Sequence, residues 1–212
     1  MWLHADVIIR EQTQGRRSLD EFLRSFLGQR DTGPIVVPYT RQDVEEALSA
    51  VCPYDWHTFI ETHVYQVNSK PPTDGLEASG WRLVYNATPN NEYFFSNLLP
   101  ISVFAEYSIG IEVQKDGSIF DVQPASPAYE AGLGPQMTIL AVDGRAYSPE
   151  VLNESIEHPR NRKITLIVRN FDSVETREIQ YAGGIRHPHL ERIPDTHDYL
   201  SEILSPKGEK EH

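Results

Sequence analysis

The chain has 212 residues, of which 39% are hydrophobic, and its 19 basic against 31 acidic side chains leave a net charge of −12. That charge repels a phosphate backbone, so no nucleic-acid partner is expected, and no apolar run approaches the ~20 residues that span a bilayer, so no membrane partner is expected either. Cys52 is the single cysteine, which excludes an internal disulfide and a multi-cysteine zinc site.

Residues 1–69 read as helices. Trp2, Leu3, Val7, Ile8 and Ile9 place apolar side chains at the very start with no capping residue ahead of them, and Asp6 and Arg10 are spaced i, i+4 as on a solvated face. The start also lacks the basic and apolar regions of a signal peptide. This uncapped opening predicts a fragment whose upstream part is missing. Ser18 and Glu21 form a capping-box pattern, followed by a stripe of Leu19, Phe22, Leu23, Phe26 and Leu27 with Gly28 at the C-cap. Thr40 and Asp43 open a second helix carrying Val44, Ala47, Leu48 and Val51, which Pro53 ends. Asp55 opens a third, with Trp56, Phe59, Ile60, Val64 and Val67 as its buried face.

Residues 70–80, with Pro71, Pro72 and Gly75, read as a linker. Strand patterns follow at 81–85, 109–113, 119–122, 137–142, 164–168 and 174–181, interrupted by short helices near 126–131 and 149–157. Asp116-Gly117 marks a hairpin. Residues 184–212 read as an irregular tail with a turn of helix near Tyr199–Leu204. The expected class is α+β: a helical bundle fragment at 1–69, a linker at 70–80 and a partly open β-barrel or sandwich with two helices at 81–183.

Several chemistries are absent from the sequence. None of the eight histidines opens an H-E-x-x-H, and there is no G-x-S-x-G elbow, Walker loop or G-x-G-x-x-G fingerprint. His187, His189, Asp195 and His197 read as a polar tail rather than a metal cluster, and His57 and His63, six apart, fall on different helix faces. The expectation is therefore no catalytic residue, no metal ligand and no cofactor in this chain. Asn86-Ala87-Thr88 and Asn153-Glu154-Ser155 match a glycosylation triplet that is frequent by chance.

The informative stretch is Ser108-Ile109-Gly110-Ile111-Glu112-Val113. An apolar–Gly–apolar turn at the head of a strand makes a nest of amides that can hold a carboxylate. The strand after it, if it lies on a sheet edge, can pair with an extended peptide. Downstream, Ser126-Pro127-Ala128 opens a short helix that ends at Gly132-Leu133, and Ile139-Leu140-Ala141-Val142-Asp143-Gly144-Arg145 is a strand closed by a turn.

In order and spacing these segments resemble a PDZ domain over Trp81 to Tyr181. The resemblance implies that the amides of Ile109, Gly110 and Ile111 bind the carboxylate of a peptide or protein C-terminus. It implies a groove between the strand Gly110–Val113, Glu112 included, and the helix Pro149–Glu157. Ile109, Ile111, Leu152 and Ile156 would then line the pocket for the last side chain, with Asn153 an alternative to Leu152. Glu106, Tyr107 and Glu112 stand where a basic residue would help, and like charge near a carboxylate costs affinity. The aromatic loop Asn86 to Ile101, with Tyr93, Phe94 and Phe95, is placed to fold over the groove.

Trp2 to Arg10 with Gly15 to Phe22, then Asp55-Trp56-His57-Thr58-Phe59 and Gly80-Trp81-Arg82-Leu83-Val84-Tyr85, together resemble the end of the helical part of the glycyl aminopeptidase family, PDZ-containing bacterial zinc metallopeptidases. The family's H-E-x-x-H, its third glutamate ligand and its tyrosine-bearing segment have no matching positions here, so the resemblance implies zinc only in the missing catalytic half. Three readings stay open: a peptide-capturing half of a metallopeptidase, a brace for the parent's catalytic domain with its groove filled by Tyr93–Phe95 or the tail, and a standalone scaffold. Cytoplasm and periplasm are both compatible with a soluble bacterial chain.

Overall fold

The structure is a computed structural model that describes residues 1–27, 36–67, 71–90 and 101–206, with the backbone alone at 101 and 102. It separates into two compact units, one running from Met1 to Leu83 and resuming at Leu190, the other spanning Val84–His189. The linker contains a helix at Asp74–Ala78, and the tail supplies a strand at His187–Arg192 and a helix at Tyr199–Leu204. Among the described residues no helix is long and apolar enough to cross a membrane.

The helical unit begins with α1 (Trp2–Thr13), whose Ala5 to Ile9 are all buried. Asp6 belongs to this buried run rather than to a solvated face: its carboxylate accepts from the Leu19 amide (2.7 Å) and from Arg10 Nε (3.1 Å). In α2 (Leu19–Leu27) the Glu21 carboxylate reaches back to the Ser18 amide at 2.7 Å, the expected cap. Phe22 is buried with Leu19 and Phe26 packed beside it, while Leu23 and Leu27 face solvent; Gly28 lies outside the described residues. The capping box of α3 (Arg41–Val51) is complete, Thr40 and Asp43 satisfying each other's amides. Asp55 caps α4 (Trp56–Ile60) through the Thr58 amide.

The helix then widens. Glu61–Tyr65 is a π turn closed by an i→i+5 bond from the Gln66 amide to Glu61 C=O (3.0 Å). An extra residue in the turn rotates everything after it, so Val64 and Val67, expected in the core, are exposed. Trp56, Phe59, Ile8, Ile9 and Leu48 form the centre of this unit. The π turn is followed by α5 (Asp74–Ala78), which packs on α1.

The second unit holds most of the strands. β1 (Trp81–Asn86) pairs with β9 (His187–Arg192), and the unit boundary crosses both. A three-stranded sheet has the order β2-β3-β4, from Ile101–Ala105, Ile111–Gln114 and Ile119–Val122. A four-stranded sheet has the order β6-β5-β7-β8, from Arg145–Ala146, Thr138–Val142, Lys163–Asn170 and Ser173–Gln180. The two short helices are α6 (Pro127–Glu130) and α7 (Pro149–Glu157), and α8 (Tyr199–Leu204) returns to the first unit.

The sheets stay open rather than closing into a barrel. The three- and four-stranded sheets meet at a corner, where the isolated Ser118–Thr138 bridge is flanked by bonds from Ile119 N–H to Met137 C=O (2.8 Å), Ile139 N–H to Gly117 C=O (2.8 Å) and Gln136 N–H to Ile119 C=O (3.1 Å). Ile164, Leu166 and Val168 alternate inward along β7 and meet Ile111, Val113, Ile139, Leu152 and Ile156 in a single apolar core.

Candidate functional site

The loop expected to hold a carboxylate is the connection between β2 and β3. Antiparallel pairing sets Ala105 opposite Ile111, Phe104 opposite Glu112 and Val103 opposite Val113. The chain turns at 106–110 because Gly110 adopts φ +83°, a region that side chains with a Cβ rarely enter. The space is also closed: a Cβ on Gly110 would lie well inside contact distance of Ser126 Cβ and Oγ. Ser126 is held there because it caps α6, its Oγ accepting from the Tyr129 amide. Gly110 C=O accepts from Gln123 N–H and Ile109 C=O from Ala128 N–H, each at 2.9 Å, so the loop is clamped from behind.

The front of the loop is where the expectation changes. The amides of Ser108, Ile109 and Gly110 all donate to one acceptor, Ala105 C=O, at 3.1, 3.0 and 2.8 Å. A carbonyl oxygen has two lone pairs, so three donors crowd it fully. β3 is the middle strand of its sheet, with β4 on one side and β2 on the other. It therefore has no edge for strand addition, because the residues just upstream already form that strand. Helix α7 lies against β2 as well as against β5, and Val103 and Ala105 are buried in the same cluster as Leu152 and Ile156.

Each expected groove residue can now be placed. Ile109, Ile111, Val113, Leu152 and Ile156 are brought together, and all are buried in the core. Gly110 is buried in the turn, and half-buried Glu112 sits between Phe104 and Asp121 in the sheet. The helix register favours Leu152 inward, with Asn153 half-buried beside it. Tyr93, Phe94 and Phe95 lie outside the described residues.

Two contacts around the loop come from far along the chain. Ser108 Oγ accepts from the Arg186 amide at 3.0 Å, and the Arg186 guanidinium lies over the Tyr85 ring at 5.0 Å, with Tyr107 5.6 Å from that ring. At the far end of β3, Tyr147 donates its hydroxyl to Gln114 C=O (2.9 Å). Burial, with Asp116 and Glu150 nearby, pushes its pKa up to about 12, so it stays a donor.

The histidines divide between several places. His57 lies by Glu45 and Arg41, and Arg41 is itself committed to Glu45 (2.5 Å) and Glu61 (2.7 Å). His63 faces His4. His187 and His189 lie on β9, whereas His197 pairs with Glu202 at 2.6 Å. Burial, and then His189, hold the His187 imidazole below the ordinary histidine range.

No family model and no curated protein matches the chain in sequence. In structure it is similar to an aminopeptidase N family protein from Idiomarina loihiensis, at 16% identity and a TM-score of 0.59, over 96% of this chain and 35% of that one. A second similarity, to the HtrA3 PDZ domain solved with a phage-derived ligand, covers 53% of this chain and 91% of that one at 16% identity, but its TM-score of 0.29 bears no weight. The chain thus spans about a third of the length of the aminopeptidase N family protein and shares the fold of that part.

Proposed function

We propose that this chain is a noncatalytic part of a peptidase related to the glycyl aminopeptidases, and that Val84–His189 is a PDZ-like domain whose recognition groove is filled by the chain's own β2. The fold shared with part of an aminopeptidase N family protein and the motifs at Trp2–Arg10 and Gly80–Tyr85 support the first statement. The convergence of three loop amides on Ala105 C=O carries the second. A peptide C-terminus would offer its carboxylate to those amides and its backbone to β3, and both positions are taken. On this reading the unit braces or docks against the parent's catalytic domain rather than capturing free peptides. Its acidic flank, Glu106 and Glu112, acts in the same direction. Zinc, which supplies an activated water and a polarised carbonyl in such peptidases, belongs to the parent's catalytic half.

The test is an amide NMR titration of the whole chain with peptides bearing a free C-terminal carboxylate, set beside the same peptides amidated. No carboxylate-dependent shift is expected at Ile109, Gly110 or Ile111. Shifts there with the free acid alone would overturn the filled-groove reading in favour of peptide capture.

A further inference from the structure

The helical unit brings together three side chains from distant parts of the chain. His4 stands on α1, His63 in the π turn, and Asp74 at the head of α5; one ligand atom from each lies within 4.8 Å of the others. We infer that His4, His63 and Asp74 form a binding site for one divalent transition-metal ion, zinc above all.

The geometry is that of a three-ligand site with an open position. His4 Nδ1 and His63 Nε2 are 3.3 Å apart, which matches the roughly 3.3 Å edge of a tetrahedron with bonds of about 2.0–2.1 Å. Asp74 is exposed, so its short side chain can swing in and water can take the remaining position. Two imidazoles and a carboxylate suit zinc and its neighbours, whereas calcium and magnesium prefer all-oxygen shells.

The surroundings orient the ligands. His63 Nδ1 lies 2.8 Å from Phe59 C=O, an acceptor, so Nδ1 carries the proton and the lone pair on Nε2 points at His4. With that lone pair as acceptor, His4 Nδ1–H is the donor between the rings, and a metal ion would take the place of this proton. The Phe59 ring packs on both imidazoles, 5.4 Å from His4 and 4.1 Å from His63 between centroids.

Two local features build the cluster. The π turn sets the orientation of His63, and such turns recur at functional sites. Gly75 lets α5 close on α1: a Cβ there would meet His4 N at 2.8 Å and His4 Cβ at 2.9 Å, so no larger residue could bring Asp74 so near. A bare hydrogen bond between the two rings would need neither the carboxylate nor the open side.

The experiment is a cobalt titration of the chelator-stripped chain followed by visible absorption, with zinc competition by calorimetry. One ion per chain with tetrahedral cobalt bands is expected. Asp74→Asn, a neutral change at an exposed position that leaves the fold intact, should weaken binding at least about tenfold, as should His63→Gln. Replacing His187, His189 and His197 together by Gln should change nothing. Absence of stoichiometric binding, or binding that survives Asp74→Asn and His63→Gln unchanged, would overturn the inference.

Discussion

The loop at 106–110 can be tested by a double-mutant cycle on Gly110 and Ser126. Gly110→Ala meets two penalties. An L-residue held at φ +83° costs ~1–2 kcal/mol, and the overlap of its Cβ with the Ser126 side chain adds ~1–3 kcal/mol of overpacking. Ser126→Gly removes both overlapping atoms and, as a cap change to glycine, costs only a few tenths of a kcal/mol on its own. In the Ser126→Gly background Gly110→Ala should therefore lose the overlap penalty and keep the backbone strain, a coupling of ~1–3 kcal/mol. Gly144→Ala, at φ +79° with open space, gives the strain alone for reference. Tryptophan fluorescence does not report on this unit, because Trp2, Trp56 and Trp81 all lie in the helical one. The assay is native-state hydrogen exchange at Leu166 and Val168, whose strand is flanked by β5 and β8 and exchanges by opening of the sheet. Costs that simply add, within ~0.5 kcal/mol, would show that Ser126 does not clamp the loop and refute the reasoning.

Two further predictions concern the helical unit. Asp6→Ala orphans the Leu19 amide and strips Arg10 of its buried partner, leaving Glu202 at 3.9 Å, so urea unfolding read by tryptophan emission should show a loss of ~2–3 kcal/mol; a change below ~0.5 kcal/mol would mean that Asp6 is a surface residue in all but position. The Trp81 indole N–H, 2.8 Å away, and the Ser201 amide hold the Asp198 carboxyl below its unfolded value of 3.8. A lowered folded pKa gives stability that is complete above 3.8 and lost as pH falls through the folded value. Asp198→Asn should accordingly flatten the acid limb of the thermal-midpoint profile, and an unchanged limb would contradict the pairing.

Local chemistry was readable from residue types, and long-range placement was not. Thr40 with Asp43, Asp55, Asp116-Gly117 and Ser126-Pro127 each carry their cap or turn within a few residues, and each appears where the pattern puts it. Ile109, Ile111, Leu152 and Ile156 are legible as a cluster, whereas nothing in Ile101–Ala105 announces that it pairs with β3. β9 was missed because His187 to Arg192 interleaves Pro188 and charged residues and is ordered by β1, about a hundred residues earlier. The π turn has no periodic signature, so the helical period places Val64 and Val67 on the buried face although both are exposed. For the same reason His63 did not announce His4 as a neighbour: their juxtaposition needs a wide turn, a glycine at 75 and three segments that share no spacing.

The order of the units along the chain constrains how the protein is made. The helical unit is complete only when the segment after His189 arrives, since Trp81 bonds Asp198, and Ser79 C=O accepts from the Leu200 amide at 3.3 Å. Bringing such distant ends together from a flexible chain costs ~4 kcal/mol in loop entropy. Folding of the inserted unit before the rest would remove most of that cost, since Asn90 bonds Pro188 C=O (3.1 Å) and His189 meets Thr88 C=O (2.8 Å), so that its own two ends lie side by side. During synthesis the sheet unit, whose residues are contiguous, is therefore complete before the last segment of the helical unit emerges.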